Sequence, residues 1–453
     1  MSSSATFTHG PLLILLLVLV QLIGSQSAPL AQAPLSLSQA IEVGLANNYQ
    51  IQISQQREAI AGNNNSYAAA GRYPRIDFNL TSNNALTNQN NPASFINGGF
   101  VNGGLTGNVD LAWTVFDGYK VRINKKRLAE IERQSQGSTQ QILETTIQQI
   151  ILAYHQVLVQ REQLSVLREV LTLSRDRLAF QELRRELGQA GTFDVLQNTD
   201  AYLNDSTSVL VQQQSYRTAV RNLNLAMGVD QLNRAYTFTD TLAAERTPYD
   251  YENLATEMLA NNIELQNLRF SRSLAAIDRE LQESNRYPSL RINTGGNATG
   301  TFFQLFTDDP RTGEPFPLTA GNSLSYYLNF TATFPLYDAG TRRRSIQNAV
   351  VEEQIAQLGI EDLKRSLSLQ LTNSLETYRN QVQLLALTES LRDNAQRNLD
   401  IAAERFQAGQ INSFDYRSIQ IAYINAAQAR LNALFNLKST ETELIRLTGG
   451  LLR

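Results

Sequence analysis

The same pattern is written twice along this chain. Ala46-Asn47-Asn48 recurs as Ala260-Asn261-Asn262, and Arg72-Tyr73-Pro74 as Arg286-Tyr287-Pro288, each 214 residues on. From Phe116-Asp117 the spacing is 221: the pair returns as Tyr337-Asp338, Gly188 as Gly409, Phe193-Asp194 as Phe414-Asp415, and Gly228 as Gly449. Self-similarity at a held spacing marks one structural unit used twice. The single change of register, seven residues between Pro74 and Trp113, confines the length difference to one loop. The fold is therefore built from two copies of one element order, residues 35–228 and 250–449, linked by 229–249.

Each copy reads as helix, strand, strand, helix. A helical segment over about residues 37–71 breaks near Asn47-Asn48. Proline and an alternating stretch follow, then a Gly/Asn-rich loop (Asn88–Gly107 in the first copy, Gly300–Ser323 in the second) and a second alternating stretch. An Asp-Gly turn then opens a very long helix. Residues 119–187 hold no proline and one glycine, Gly137; as a helix they would span about 100 Å at 1.5 Å per residue. That length suggests coiled-coil packing. Ile147, Ile150, Tyr154 and Val157, then Leu164, Leu167, Leu171 and Leu178, mark the seam; Leu371, Leu375, Tyr378, Val382 and Leu385 mark it in the second copy. A break at Gly188–Gly191 precedes a shorter helix over about 192–227.

The strands are expected at about 75–81, 108–116, 289–297 and 323–334. In the second of these, Val109, Leu111, Trp113 and Val115 share one face, and Asp110, Ala112 and Thr114 the other. In the fourth, Leu324, Tyr326, Leu328, Phe330, Ala332 and Phe334 oppose Ser325, Tyr327, Asn329, Thr331 and Thr333. Stretches near ten residues with aromatics at their ends fit tilted membrane strands. Four strands cannot close a barrel, which takes about eight: either several chains contribute, three of which would bring twelve strands, or the strands form an open sheet.

Composition removes several function classes. The chain has no cysteine and two histidines, His9 and His155. Thiol chemistry, disulfides and multi-histidine metal sites are thereby excluded. A net charge of −3 offers no field for nucleic acid. No phosphate loop or nucleophile motif occurs, so an enzyme is not expected, nor a cofactor or a metal site. Residues Leu12–Ile23 are apolar except for Gln21 but too short to span a bilayer comfortably, and small residues follow. Residues 1–27 read as a signal peptide, with cleavage between 27 and 33.

Over essentially all of its mature length the chain resembles the TolC family of outer-membrane efflux proteins. Four elements carry the resemblance. They are Leu35–Asn48 (LSLSQAIEVGLANN), the strand exits Val115-Phe116-Asp117-Gly118 and Tyr337-Asp338-Ala339-Gly340, the breaks Gly188–Asp194 and Gly409–Asp415, and the closing Leu447-Thr448-Gly449. The resemblance implies an α+β membrane protein. A homotrimer would share one twelve-stranded β-barrel in outer-membrane lipid, with the helices forming an α-helical tunnel in the periplasm. It implies a passive exit duct of a tripartite efflux or type I secretion system. Its partners would be a periplasmic adaptor (membrane fusion) protein and an inner-membrane pump of RND, ABC or MFS type. The alternative is a secreted structural or adhesive coiled-coil protein without a pore, which has no use for four alternating strands.

By the same resemblance Asp194 and Asp415 would sit at the tunnel's inner end. Six such carboxylates in a narrow throat would favour cations, although an acid in a first helical turn also answers the helix dipole. Thr192 and Ser413 read as the N-caps. The family's second acid is replaced by Gln197 and Ser418, and its Tyr and Arg lock by Phe406 and Ile411, so closure would rest on apolar contacts of Phe406. Gly188 and Gly409 mark turns where an adaptor would dock. Trp113, Tyr326 and Phe334 are candidate membrane-interface anchors. His155, next to seam residue Tyr154, is expected on the solvated face.

Overall fold

A computed structural model describes residues 33–91, 93, 98–243, 245–309 and 311–452. The expected signal peptide lies outside the described residues. Helix α1 (Leu37–Asn47) and α2 (Tyr49–Asn64) precede strands β2 (Arg75–Gln89) and β3 (Gly98–Phe116), then α3 (Lys120–Glu186) and α4 (Thr192–Ala226). The second copy repeats them as α5 (Tyr251–Asn261), α6 (Ile263–Ser284), β5 (Ser289–Leu305), β6 (Thr319–Thr333), α7 (Thr341–Gln407) and α8 (Ser413–Leu447). Every start in the second copy lies 214 or 221 residues after its counterpart, and both pairs of long helices also end in register.

Local chemistry explains the shared boundaries. Asn48 and Asn262 each stand between two helices, and their side chains accept from the amides of Gln50 and Ile51 and of Leu265. Such a cap satisfies donors that the new helix leaves open. Before the long helices, Asp117 accepts from Val121 N at 3.0 Å, and Asp338 from Arg342 N at 3.1 Å. The turn needs two successive left-handed residues, Gly118-Tyr119 in one copy and Ala339-Gly340 in the other. Glycine serves one position of each pair, a different one in each repeat.

Two short strands were not expected. β1 (Ala33–Leu35) pairs in parallel with β4 (Tyr236–Phe238), inside the stretch read as a linker. The strands of the main sheet also run further than the alternating stretches: β2 continues to Gln89, and β3 starts at Gly98. The Gly/Asn-rich loop is thus mostly strand, and so are both ends of Gly300–Ser323. Glycine and asparagine are poor strand formers in isolation, but a long ladder of paired neighbours overrides that preference. Phe334 stands one residue beyond β6.

The chain divides into two compact units, and α3, α7 and α8 contribute residues to each. One unit gathers residues up to Asn47, Gln149–Glu245 and Leu384–Lys438. Its core packs Ile150, Tyr154, Val157 and Leu158 of α3 against Leu223 of α4, Met227 just past that helix, Leu35, and the β4 aromatics Tyr236 and Phe238. The Tyr154 hydroxyl donates to Leu35 O at 2.9 Å. His155 is buried here, contrary to expectation; its Nδ1 lies 2.8 Å from Ile151 O, so the i−4 carbonyl satisfies a ring nitrogen out of water. The other unit comprises Asn48–Gln148, Arg246–Gln383 and Ser439–Arg453, and holds the four-stranded sheet. No described helix is long and apolar enough to cross a membrane.

Candidate functional site

The sheet is antiparallel throughout, in the order β2-β3-β5-β6. Directly paired residues share a face, so the register sorts every side chain. One face is apolar: Ile76 and Phe78 of β2 pair with Leu111 and Val109 of β3, Trp113 pairs with Ile292 of β5, and Ile292 with Phe330 of β6. Tyr326 lies over Gly296, where an added Cβ would meet its ring at 3.0 Å. Among the described residues nothing covers this face: Phe78 is 69% exposed, Leu86 76% and Tyr326 79%. The other face is polar, in rows that cross all four strands: Asp77, Asp110, Gly295 and Tyr327; then Asn79, Asn108, Asn297 and Ser325; then Thr81, Thr106, Thr299 and Ser323. The Tyr327 hydroxyl and the Asn108 amide donate to Asp110, and Arg75 pairs with Asp77 at 2.8 Å.

A sheet in water keeps its apolar face on a core. Here that face is open and hydrogen-bonding side chains line the opposite one. That is the inversion required of a strand wall between lipid and water. Strands β2 and β6, 15 residues each, are both edges. Exposed edges of that length are ready templates for pairing with another chain. Of the expected anchors, Trp113 and Tyr326 lie on the apolar face; Trp113 Nε1 donates to Arg72 O at 3.1 Å. Phe334 is exposed just past the strand end.

In the other unit, the turns after α3 and α7 have one geometry. Gly188 and Gly409 both have φ +72°, and an added Cβ would meet no atom within 4 Å at either. Gly188 N donates to Arg185 O and Gln189 N to Arg184 O; Gly409 N donates to Phe406 O and Gln410 N to Arg405 O. Each is a Schellman stop, for which glycine is the usual residue. The caps of the next helices fall one residue earlier than expected. Gly191 stands before α4, and its N–H donates to Asp194 Oδ2 at 3.2 Å. Asn412 precedes α8 and accepts from Asp415 N at 2.8 Å. Ser413 is buried and accepts from Asn198 Nδ2 at 3.1 Å, which takes its side chain away from the helix end. Asp194 and Asp415 therefore occupy the third position of their helices, near the positive end of the dipole. Asp415 is exposed and Asp194 half-buried.

Phe406 is buried, with Phe180 at 6.2 Å and Tyr416 at 5.3 Å between ring centres. Beside it lies a polar network that the apolar pattern concealed. Arg417 of α8 clasps Asp205 of α4 with two bonds of 2.7 and 2.8 Å, and Ser174 of α3 donates to the same carboxylate at 2.5 Å. Gln420 accepts from Arg417 and donates to Ser174 at 2.9 Å each. Arg177 lies 4.9 Å over the Tyr416 ring, and burial pulls its pKa down to about 10. The expected stripe Leu167, Leu171 and Leu178 is only half-buried; the buried stripe is Val170, Ser174, Arg177 and Gln181. Its spacing of four, three and four is a seam, and it carries polar residues. That spacing, read without regard to residue type, is the signal that would have found it.

Residues 254–450 match the family model described as Outer membrane efflux protein. No curated protein sequence is significantly similar. Solved structures share the fold. The Campylobacter jejuni CmeC outer membrane channel aligns with TM-score 0.71 at 14% identity, over 91% of this chain and 85% of that one. The outer membrane protein VceC of Vibrio cholerae aligns with TM-score 0.64 at 17% identity, over 91% and 96%. The Neisseria gonorrhoeae MtrE outer membrane channel, solved in its open state, gives 0.69 at 14% identity, over 92% and 89%.

Proposed function

We propose, for a chain whose residues 254–450 belong to the outer membrane efflux protein family and whose fold is that of outer-membrane channels, that it is the passive exit duct of an efflux system. The observation that carries this reading is the sheet: four strands, both edges open, one face apolar and uncovered, the other lined with Asn, Thr, Ser and Asp. Three copies, pairing β6 of one with β2 of the next, bring twelve strands into one barrel. Lipid takes the apolar face and a water-filled passage the polar one. No feature of the chain favours the secreted coiled-coil alternative. Fractionation tests the reading: the chain stays with the outer membrane and needs detergent for release. Recovery in the soluble fraction after lysis without detergent would overturn it.

The long helices serve as the periplasmic tunnel. A duct without its own energy source needs a pump in the inner membrane and an adaptor to reach it. The turns at Gly188 and Gly409 are the adaptor's docking points in this proposal, because they present the same backbone twice per chain. Asp194 and Asp415 form the cation-selecting ring at the inner end. Phe406 acts from inside the helix packing, holding α7 against α3 and α8 while the acids set the charge. Replacing both acids, Asp194→Asn with Asp415→Asn, is expected to lower cation over anion permeability several-fold, read as a shift in reversal potential. An unchanged reversal potential removes the ring from the account.

A further inference from the structure

Where the sheet gives way to helices, the two repeats place arginines at matching positions. Arg72 and Arg286 stand in the Arg-Tyr-Pro turns before β2 and β5. Arg122 and Arg343 stand in the first turn of α3 and α7, just after β3 and β6. All four are exposed. Arg72 rests 5.0 Å over the Tyr67 ring. Among the described residues, the side chains of Arg122, Arg286 and Arg343 have neither an acid nor a carbonyl as partner. The nearby acids are engaged: Asp338 pairs with Arg342 at 2.7 Å, and Asp117 caps Val121.

These cations share their level with aromatic rings. Tyr119 packs edge-on against Phe116 and against Tyr287, at 5.3 and 5.5 Å between centres, and a Cβ on Gly118 would meet Tyr287 Cβ at 3.0 Å. Register carries the same level across the sheet, since Phe116 pairs with Leu290 and Arg75 with Ala112. Tyr73, Tyr287 and Tyr337 are all more than half exposed, and Tyr337 is 88% exposed. The apolar face therefore ends in tyrosines, and unpartnered guanidinium groups lie immediately beyond them.

We propose that this belt binds the phosphate headgroups of anionic phospholipids in the leaflet facing the periplasm. The inference rests on the membrane reading of the sheet. Continuity argues for lipid as the occupant, because the belt is the rim of the uncovered apolar face. Charge complementarity argues for an anionic lipid, because three of the four guanidinium groups have no acid or carbonyl partner among the described residues. A planar guanidinium meets a phosphate with two parallel hydrogen bonds. Each such charge near an anionic surface raises its local preference about fivefold.

The chain carries a single tryptophan, Trp113, in the same region of the sheet, which makes it the reporter. The full-length protein is reconstituted in vesicles of phosphatidylcholine with a minority of phosphatidylglycerol, and either lipid is supplied brominated. Brominated phosphatidylglycerol is expected to quench Trp113 about fivefold more per mole than brominated phosphatidylcholine. The triple variant Arg122→Gln, Arg286→Gln, Arg343→Gln should bring the two lipids close to parity, with quenching by phosphatidylcholine unchanged. Equal quenching in the native chain overturns the belt and leaves the membrane reading intact, and so does a preference that survives the triple variant. Quenching by neither lipid overturns both.

Discussion

The two repeats agree on where helices and strands begin and disagree on what fills the helix seam. Both long helices run 67 residues, stop at a glycine with φ +72°, and lead into a second helix of 35 residues. In the first repeat the network residues are Ser174, Arg177 and Asp205; their counterparts 221 residues on are Ala395, Asn398 and Ala426. Arg417 and Gln420 of the second repeat answer to Leu196 and Thr199 of the first. Ala395 and Ala426 pack instead among Leu399, Ala402, Phe406 and Tyr416. A duplicated scaffold has thus kept its stops and caps and specialised its interior, with one seam polar and the equivalent one apolar. A polar seam has one well-satisfied arrangement and resists sliding; an apolar seam tolerates small shifts.

The largest effect expected from this contrast is at Asp205. Asp205→Ala leaves Arg417 and Ser174 without their shared acceptor and should lower unfolding free energy by about 3–5 kcal/mol, measured by denaturant unfolding of the detergent-solubilised protein. Replacing both ion-pair partners, Asp205→Leu with Arg417→Leu, should recover most of that loss, because the two paired charges leave together. Ala395→Ser, the reciprocal change in the apolar seam, should cost less than about 1 kcal/mol. Equal costs in the two seams would abolish the distinction.

A second contrast is Glu144 of α3, buried, against its exposed counterpart Arg365 of α7. Burial pushes the Glu144 carboxyl up to about 7; Arg446 opposes the rise and Glu264 adds to it. The unfolded chain loses this proton near 4.5 and the folded chain near 7. Stability from this group is therefore fully present below 4.5 and is lost as pH rises to about 7, by at most ~3 kcal/mol. Glu144→Gln should raise the melting temperature at pH 8 and flatten its fall between pH 5 and 8. A parallel curve for the variant would show that the carboxyl does not titrate in that range.

A smaller expected effect checks the shared part of the scaffold. Gly188→Ala and Gly409→Ala each force a side chain into a left-handed turn and should cost about 1 kcal/mol. The two costs should match, since the turns share φ, hydrogen bonds and open surroundings. Unequal costs would mean that the turns differ in the assembled protein.

Much of this architecture could be read before any coordinates, because capping and turn chemistry is local. Asn48 with Asn262, Asp117 with Asp338 and Gly188 with Gly409 each fix a boundary through atoms a few residues away. The outer halves of the strands could not be read, because residues 98–107 and 300–305 become strand only through their partners across the sheet. The seam below Leu164 was hidden for another reason. Apolar residues carry the visible helical periodicity, whereas the buried positions there include Ser174, Arg177 and Gln181. Their partners in α4 and α8 are far off in sequence, and no local pattern predicts them. The two faces of the sheet were legible at once, since alternation survives whatever the strand length.

In the proposed assembly, several copies close their open-edged sheets into one water-filled pore. Recording current across a planar bilayer after adding the detergent-solubilised oligomer tests it most directly. Discrete conductance steps of uniform size, selective for cations, are the expected result. A folded preparation that inserts into the bilayer and carries no current would contradict the account.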